Sequence, residues 1–261
     1  MHLKFLATGV FLFLFSLTSF AQMRGVSAVR LEAESYEDAA KRTRSHGTLF
    51  GYGYDTPERF KSSLAQLNLQ EIPELSSAEE MKTQFEFVRD TKFIEDSSLE
   101  FSRRLSWLFP DDGCYVRAEL AAQSLVAQGF TAPKKIFVFG NLRASTKNSP
   151  QGFVRWWYHV AVTYRLGNVA YVYDPAIQPL SAITLQQWHE AIGGKSTQLE
   201  YAVCATGTVD PDGSCKAPKK DASRMMFAEQ LNFLGEEWDR LEDLRRDPRA
   251  ELGDSPPWKV H

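Results

Sequence analysis

Val154 to Tyr164 reads VRWWYHVAVTY, eleven residues dense in β-branched and aromatic side chains with no glycine or proline. Such a run suits a half-buried strand and a helix poorly. Leu166-Gly167-Asn168 then offers a tight turn, and residues 168–173 a returning strand, so this part of the chain is committed to an antiparallel hairpin. A shorter apolar strand is expected at residues 135–139, followed by a polar loop over residues 140–146. By strict alternation Trp157, His159, Ala161 and Thr163 share one face, and Trp156, Tyr158, Val160, Val162 and Tyr164 the other. His159 thus lies among smaller neighbours, where a cleft fits. Asp174-Pro175 ends the third strand, because proline cannot extend the ladder. The hairpin brings His159 and Asp174 nearly opposite each other, and an aspartate beside a histidine fixes its tautomer.

Upstream, Asp111-Asp112-Gly113-Cys114 runs into a stretch that reads as a helix from Tyr115 to about Gln128. A cysteine at a helix N-terminus meets unpaired N–H groups and the positive end of the dipole, which favour the thiolate. The two aspartates act against this, and a lone cysteine is more often a buried small hydrophobe. A histidine within reach would assist the thiolate. The order Cys, His, Asp, with the cysteine opening a helix and the other two on neighbouring strands, is the arrangement of an α+β papain- or transglutaminase-like core. In it the cysteine helix packs on an antiparallel sheet.

With 261 residues, 43% of them hydrophobic, the chain can bury a sizeable core, and a net charge of −3 leaves no basic excess for nucleic acid. Lys4 precedes an almost wholly apolar run from Phe5 to Phe20, and Ser19-Phe20-Ala21 has small residues where a signal peptidase reads. Residues 1–21 are therefore expected to be a signal peptide, with a secreted or periplasmic product and no membrane attachment after cleavage. In an oxidising compartment three cysteines leave one unpaired. Cys204 and Cys215 flank a turn-rich loop and are the natural disulfide, worth roughly 2–3 kcal/mol. Cys114 is then the free thiol.

Residues 22–75 are an N-terminal extension, read either as a structured subdomain or as a pro-segment removed later. Within them residues 27–44 fit a charged helix, residues 47–57 a glycine- and tyrosine-rich turn, and Phe60, Leu64 and Leu67 helical spacing. Residues 76–216 form the candidate catalytic domain. A capping box at residues 77–80 opens a helix carrying Met81, Phe85 and Val88, and residues 96–98 are expected to cap another carrying Leu99, Leu105 and Leu108. Residues 217–261 hold an amphipathic helix, with Phe227, Leu231, Leu234, Trp238 and Leu241 as its stripe and a loose tail at residues 256–258. The stripe is too short for an independent coiled-coil seam, so packing on the protein's own domain and a monomer are expected. His46, His189 and His261 lack metal-ligand spacing, so neither metal nor other cofactor is expected, and His189 is read as a surface residue.

Asp112-Gly113-Cys114-Tyr115 with Arg117-Ala118, then Gly140 to Thr146, then Trp157-Tyr158-His159-Val160-Ala161, then Tyr173-Asp174-Pro175 together resemble the bacterial protein-glutaminases, or protein-glutamine deamidases. The resemblance covers roughly residues 107–216. It implies Cys114 as nucleophile, His159 as base and acid, Asp174 as its orienter, and glutamine-containing proteins or peptides as substrates. The family's secreted precursors, which carry an inhibitory pro-segment, add weight to that reading of residues 22–75. A transglutaminase, a cysteine peptidase and a non-catalytic binding module on the same fold are the alternatives. The first differs only in the acyl acceptor, and the second needs an extended substrate groove.

Overall fold

The computed structural model describes residues 27–45, 61–96, 101–195, 197–211, 215 and 223–253. The segment expected to be a signal peptide, the turn region expected at 47–57, His46, His261 and the tail at 256–258 lie outside the described residues.

The first described segment departs from the expected helix. Residues 27–30 are extended, and helix α1 (Tyr36–Ser45) starts only afterwards. The Ala28 carbonyl accepts from the Trp157 N–H at 3.0 Å, and the Arg30 N–H donates to the Arg155 carbonyl at 3.1 Å. The cause lies in the long hairpin, whose return strand pairs only as far back as Val162, leaving backbone groups near Trp156 to be satisfied by another segment. Residues 61–75 do similar work at other edges. Ser62 exchanges two backbone hydrogen bonds with Tyr201, and the Leu75 N–H donates to the Arg165 carbonyl at 2.8 Å. Leu64–Gln66 and Leu69–Glu71 are single 3-10 turns in place of the helix that the leucine spacing suggested.

Helix α2 (Ala78–Asp90) begins as expected, with the Ser77 hydroxyl accepting from the Glu80 N–H. Glu80 reaches back one residue further than a capping box requires, to Ser76. The helix expected after residue 96 starts on residues 97–100, which with Leu99 lie outside the described residues, and residues 101–108 are not helical. Strands β1 (Ile94–Asp96) and β2 (Phe101–Arg103) pair antiparallel instead. Ile94 and Phe101 are buried, and so are Leu105 and Trp107, whose two-residue spacing a turned backbone accommodates and a helix does not.

Helix α3 (Cys114–Ala127) follows, then strands β3 (Lys134–Ser145), β4 (Phe153–Leu166), β5 (Val169–Tyr173) and β6 (Ile183–Thr184), helix α4 (Leu185–Ala191) and strand β7 (Glu200–Cys204). The five strands form one antiparallel sheet in the order β6-β5-β4-β3-β7, against which α3 packs to complete the α+β core. Its first turn is therefore held over β4. Residues 140–145 of the expected polar loop continue β3, with a register shift between Phe139 and Leu142. Gly140, at φ 140°, supplies that bulge where an added Cβ would lie 2.7 Å from the Leu199 side chain. Cys204 and Cys215 form the expected disulfide.

Helix α5 (Ser223–Asp243) packs on α3, and a short α6 (Pro248–Leu252) begins at the proline expected only to end the pattern. The buried face of α5 is rotated from the leucine stripe, because it includes Gln230, Phe233 and Glu237 as well as Leu234, Trp238 and Leu241. Glu237 lies inward because one of its oxygens accepts from the Leu108 N–H at 2.6 Å and from Arg104 at 3.1 Å. The helix thus anchors the loop leading to Cys114. Trp238 is only 5% exposed, so Trp238→Ala is expected to cost about 3–5 kcal/mol. Urea unfolding measures this, and a variant that unfolds like the parent would show that the indole contributes little packing.

Candidate active site

Gly113 caps α3 at φ 77°, a left-handed conformation that turns the chain sharply into the helix and leaves Cys114 as its first residue. The turn is held from several sides. Arg117, itself buried, donates to the carbonyls of Ser106, Phe109 and Asp112 at 3.3, 3.0 and 2.8 Å. The two acidic residues that count against a thiolate are both engaged. Asp111 pairs with Arg240 from α5. Asp112 accepts from the Ser27 hydroxyl at 2.6 Å, the Ala28 N–H at 3.0 Å and its own neighbour's N–H, Gly113, at 2.8 Å.

Beneath the start of α3, His159 comes from β4 and Asp174 from the residue just after β5. They sit diagonally, since Val162 faces Tyr173 in the ladder, and His159 Nε2 lies 2.7 Å from Asp174 Oδ2. Nδ1 has no hydrogen-bond partner, and Cys114 is close enough to act on the ring. Cys114, His159 and Asp174 are 2%, 1% and 4% exposed. Burial pulls the imidazole pKa down, but Asp174 and then Cys114 outweigh it and hold it at about 9. Burial pushes the Asp174 carboxyl up, and His159, Trp188 and the more distant Arg117 bring it below its ordinary value.

Two tryptophans complete the surroundings. Trp188 donates its indole N–H to Asp174 Oδ2 at 2.9 Å. Trp156 stacks on the imidazole with ring centres 4.4 Å apart, and its indole N–H donates to the Pro110 and Asp111 carbonyls at 3.0 and 2.9 Å. Strict alternation puts Trp156 and His159 on opposite faces of the strand. The bulge opposite Trp157 breaks that alternation, so Trp156 joins the site while Trp157 turns towards Tyr36 of α1. Sequence reasoning passed over Trp188 and singled out its neighbour His189. That residue is half-buried and hydrogen-bonded to the Tyr201 hydroxyl, so it is no free surface group. Arg117 lay within a recognised motif, but nothing local to it indicated that it closes the preceding loop.

Among the described residues no group of three or more His, Cys, Asp or Glu side chains is placed to hold a metal ion, and no helix is long and apolar enough to cross a membrane. What the site can do follows from its parts. A cysteine at a helix start, beside a histidine held by a carboxylate, is equipped for acyl transfer through a thioester.

Residues 81–192, a segment that contains Cys114, His159 and Asp174, match a family model described as glutaminase. No curated protein matches the chain. Among solved structures, the chain is similar to a mutant of pro-protein-glutaminase, at 25% identity over 54% of each chain with a TM-score of 0.42. It thus spans about half the length of that protein. A second pro-protein-glutaminase matches at 22% identity over 77% of this chain and 69% of the other, TM-score 0.48. The protein-glutaminase from Chryseobacterium proteolyticum matches at 26% identity over 57% and 82%, TM-score 0.43.

Proposed function

We propose that the protein is an exported protein-glutamine deamidase, with Cys114 as nucleophile, His159 as acid and base, and Asp174 as the group that orients His159. The observation that carries the reading is the buried His159–Asp174 pair facing the only described free cysteine, all inside the segment matched to the glutaminase family. Cys114 gives its thiol proton to His159 Nδ1, the sulfur attacks the carbonyl carbon of a glutamine side chain, and the new oxyanion is met by N–H groups at the start of α3. As the C–N bond breaks, His159 passes a proton from Nδ1 to the nitrogen, and ammonia leaves. Water then loses a proton to His159 and attacks the thioester. The C–S bond breaks, glutamate is released, and Cys114 and His159 return to their starting state.

The test is incubation with a glutamine-rich protein while ammonia, intact mass and amine incorporation are followed. Ammonia with conversion of amide to acid supports deamidation. Incorporation of an added amine would make the enzyme a transglutaminase, and backbone cleavage a peptidase.

Cys114 is only 2% exposed as a residue, which leaves a protein-borne glutamine little access to it. Residues 27–28 clasp Asp112, two positions before it. This supports reading residues 22–75 as a pro-segment that keeps the site closed, with the mature enzyme beginning near residue 76. Protein lacking residues 22–75 should then release ammonia faster than the longer form and expose one rapidly alkylated thiol. Loss of folding in the truncated protein, seen by circular dichroism, would make the segment a subdomain of the enzyme instead.

The histidine supplies a pH prediction. Its folded pKa, about 9, lies above the ordinary 6.5, so the pairing stabilises fully below 6.5 and is lost as pH rises through 9. Ammonia release should fall on an alkaline limb near pH 9, in parallel with a loss of stability between pH 6.5 and 9. A limb near 6.5 would mean that His159 does not carry the proton.

A further inference from the structure

Asp174 sits where the sheet stops. Pro175 blocks further pairing, and the Asp174 carbonyl turns the chain by accepting from the N–H groups of Ile177 and Gln178 at 3.0 and 2.8 Å. The backbone is thereby anchored, but no neighbouring strand holds the side chain. Its carboxylate is gripped by two side chains through one oxygen: His159 Nε2 at 2.7 Å and the Trp188 indole at 2.9 Å. Trp188 is fully buried and its ring centre lies 5.7 Å from that of the imidazole.

We propose that Trp188 is a positioning residue for the reaction, holding the Asp174 carboxylate in the orientation that pairs with His159. The inference rests on the deamidase reading for its kinetic consequence, though not for its structural one. Helix α4 is built to deliver the indole. Thr184 and Gln187 close its start with a reciprocal capping box. Leu185 and Trp188 are its buried residues, and the Ile192 carbonyl just beyond its end accepts from the Arg143 N–H of β3 at 3.0 Å. A tryptophan serving only to fill the core would need no N–H aimed at a carboxylate, and a buried indole N–H commonly finds a neutral carbonyl. Here it meets the charged oxygen that also meets the histidine. Cys114 and Trp188 face the Asp174–His159 pair, and Arg117 adds positive charge from α3.

Trp188→Phe keeps a ring in the space and removes the N–H. In the full chain kcat should fall roughly tenfold or more, the loss of a hydrogen bond to a charged group. KM should change little, because Trp188 does not touch substrate. The carboxylate is freed to turn from His159, so the alkaline limb of ammonia release should move below that of the parent. The same displacement should appear in the titration of the 15N-labelled His159 ring by NMR, a reading that needs no substrate. Trp238→Ala is the control, because it should lower stability without moving either titration. If Trp188→Phe leaves the His159 titration where it was, or changes only the melting temperature as the control does, Trp188 is packing and the proposal fails. If the NMR titration moves while even the parent releases no ammonia, the positioning role stands and the deamidase reading falls.

Discussion

Cys114→Ala should release no ammonia above background, a loss of at least about a thousandfold, while its unfolding free energy stays within about 1 kcal/mol of the parent. The sulfur is the only atom in the site able to form the thioester, so no partial route remains. The substitution removes only the sulfur and keeps the Cβ, a small loss of volume at a buried position. His159→Ala should be equally inactive but not equally stable. Removing the imidazole strands Asp174 as a buried carboxylate with the Trp188 indole still bound to it, and breaking a buried pair in this way costs about 3–5 kcal/mol. The two variants therefore separate chemistry from support, through ammonia release on one side and urea unfolding on the other. Substantial turnover in Cys114→Ala would remove Cys114 from the mechanism.

The residues that the structure brings together were those with strong local signatures. Glycine before the cysteine marked a helix start, period-two alternation marked the strand of His159, and proline after Asp174 marked a strand end. Each is a short-range consequence of backbone geometry, so each can be read from a few neighbouring residues. What escaped depends on distant partners. Residues 27–30 looked helical because their side chains allow a helix, but unpaired backbone near Trp156 drew them into extended pairing. Leu105 and Leu108 were read as part of a helix, yet the residues just before them, Phe101–Arg103, pair as a strand with Ile94–Asp96. The inward face of α5 was misplaced for a related reason. Glu237 reads as solvent-facing until the Leu108 N–H and Arg104 are seen to need it. Trp156 moved to the site side of its strand because a bulge, set by the glycine at 140 and the crowding of Leu199, overrides alternation.

Gly113 offers the second large effect, because two independent costs meet there. At φ 77° an alanine pays about 1–2 kcal/mol for the left-handed conformation alone. Its Cβ would also lie 2.8 Å from the Phe233 ring of α5, closer than packed carbons tolerate. Phe233 has little room to yield, since the rings of Phe109 and Tyr115 stand 6.2 Å from it on other sides. Overpacking of this kind adds about 1–3 kcal/mol, so Gly113→Ala should lose roughly 2–5 kcal/mol in all. Phe233→Ala should by itself lose about 3–5 kcal/mol by leaving a cavity. In that background, however, the new methyl group has space to enter. The glycine substitution should then cost only its conformational share, about 1–2 kcal/mol, and the two losses should fall short of their sum. Urea unfolding of the four proteins reads this coupling directly. Strictly additive losses would mean that α5 does not bear on the turn before Cys114, and that its packing has no part in shaping the start of α3.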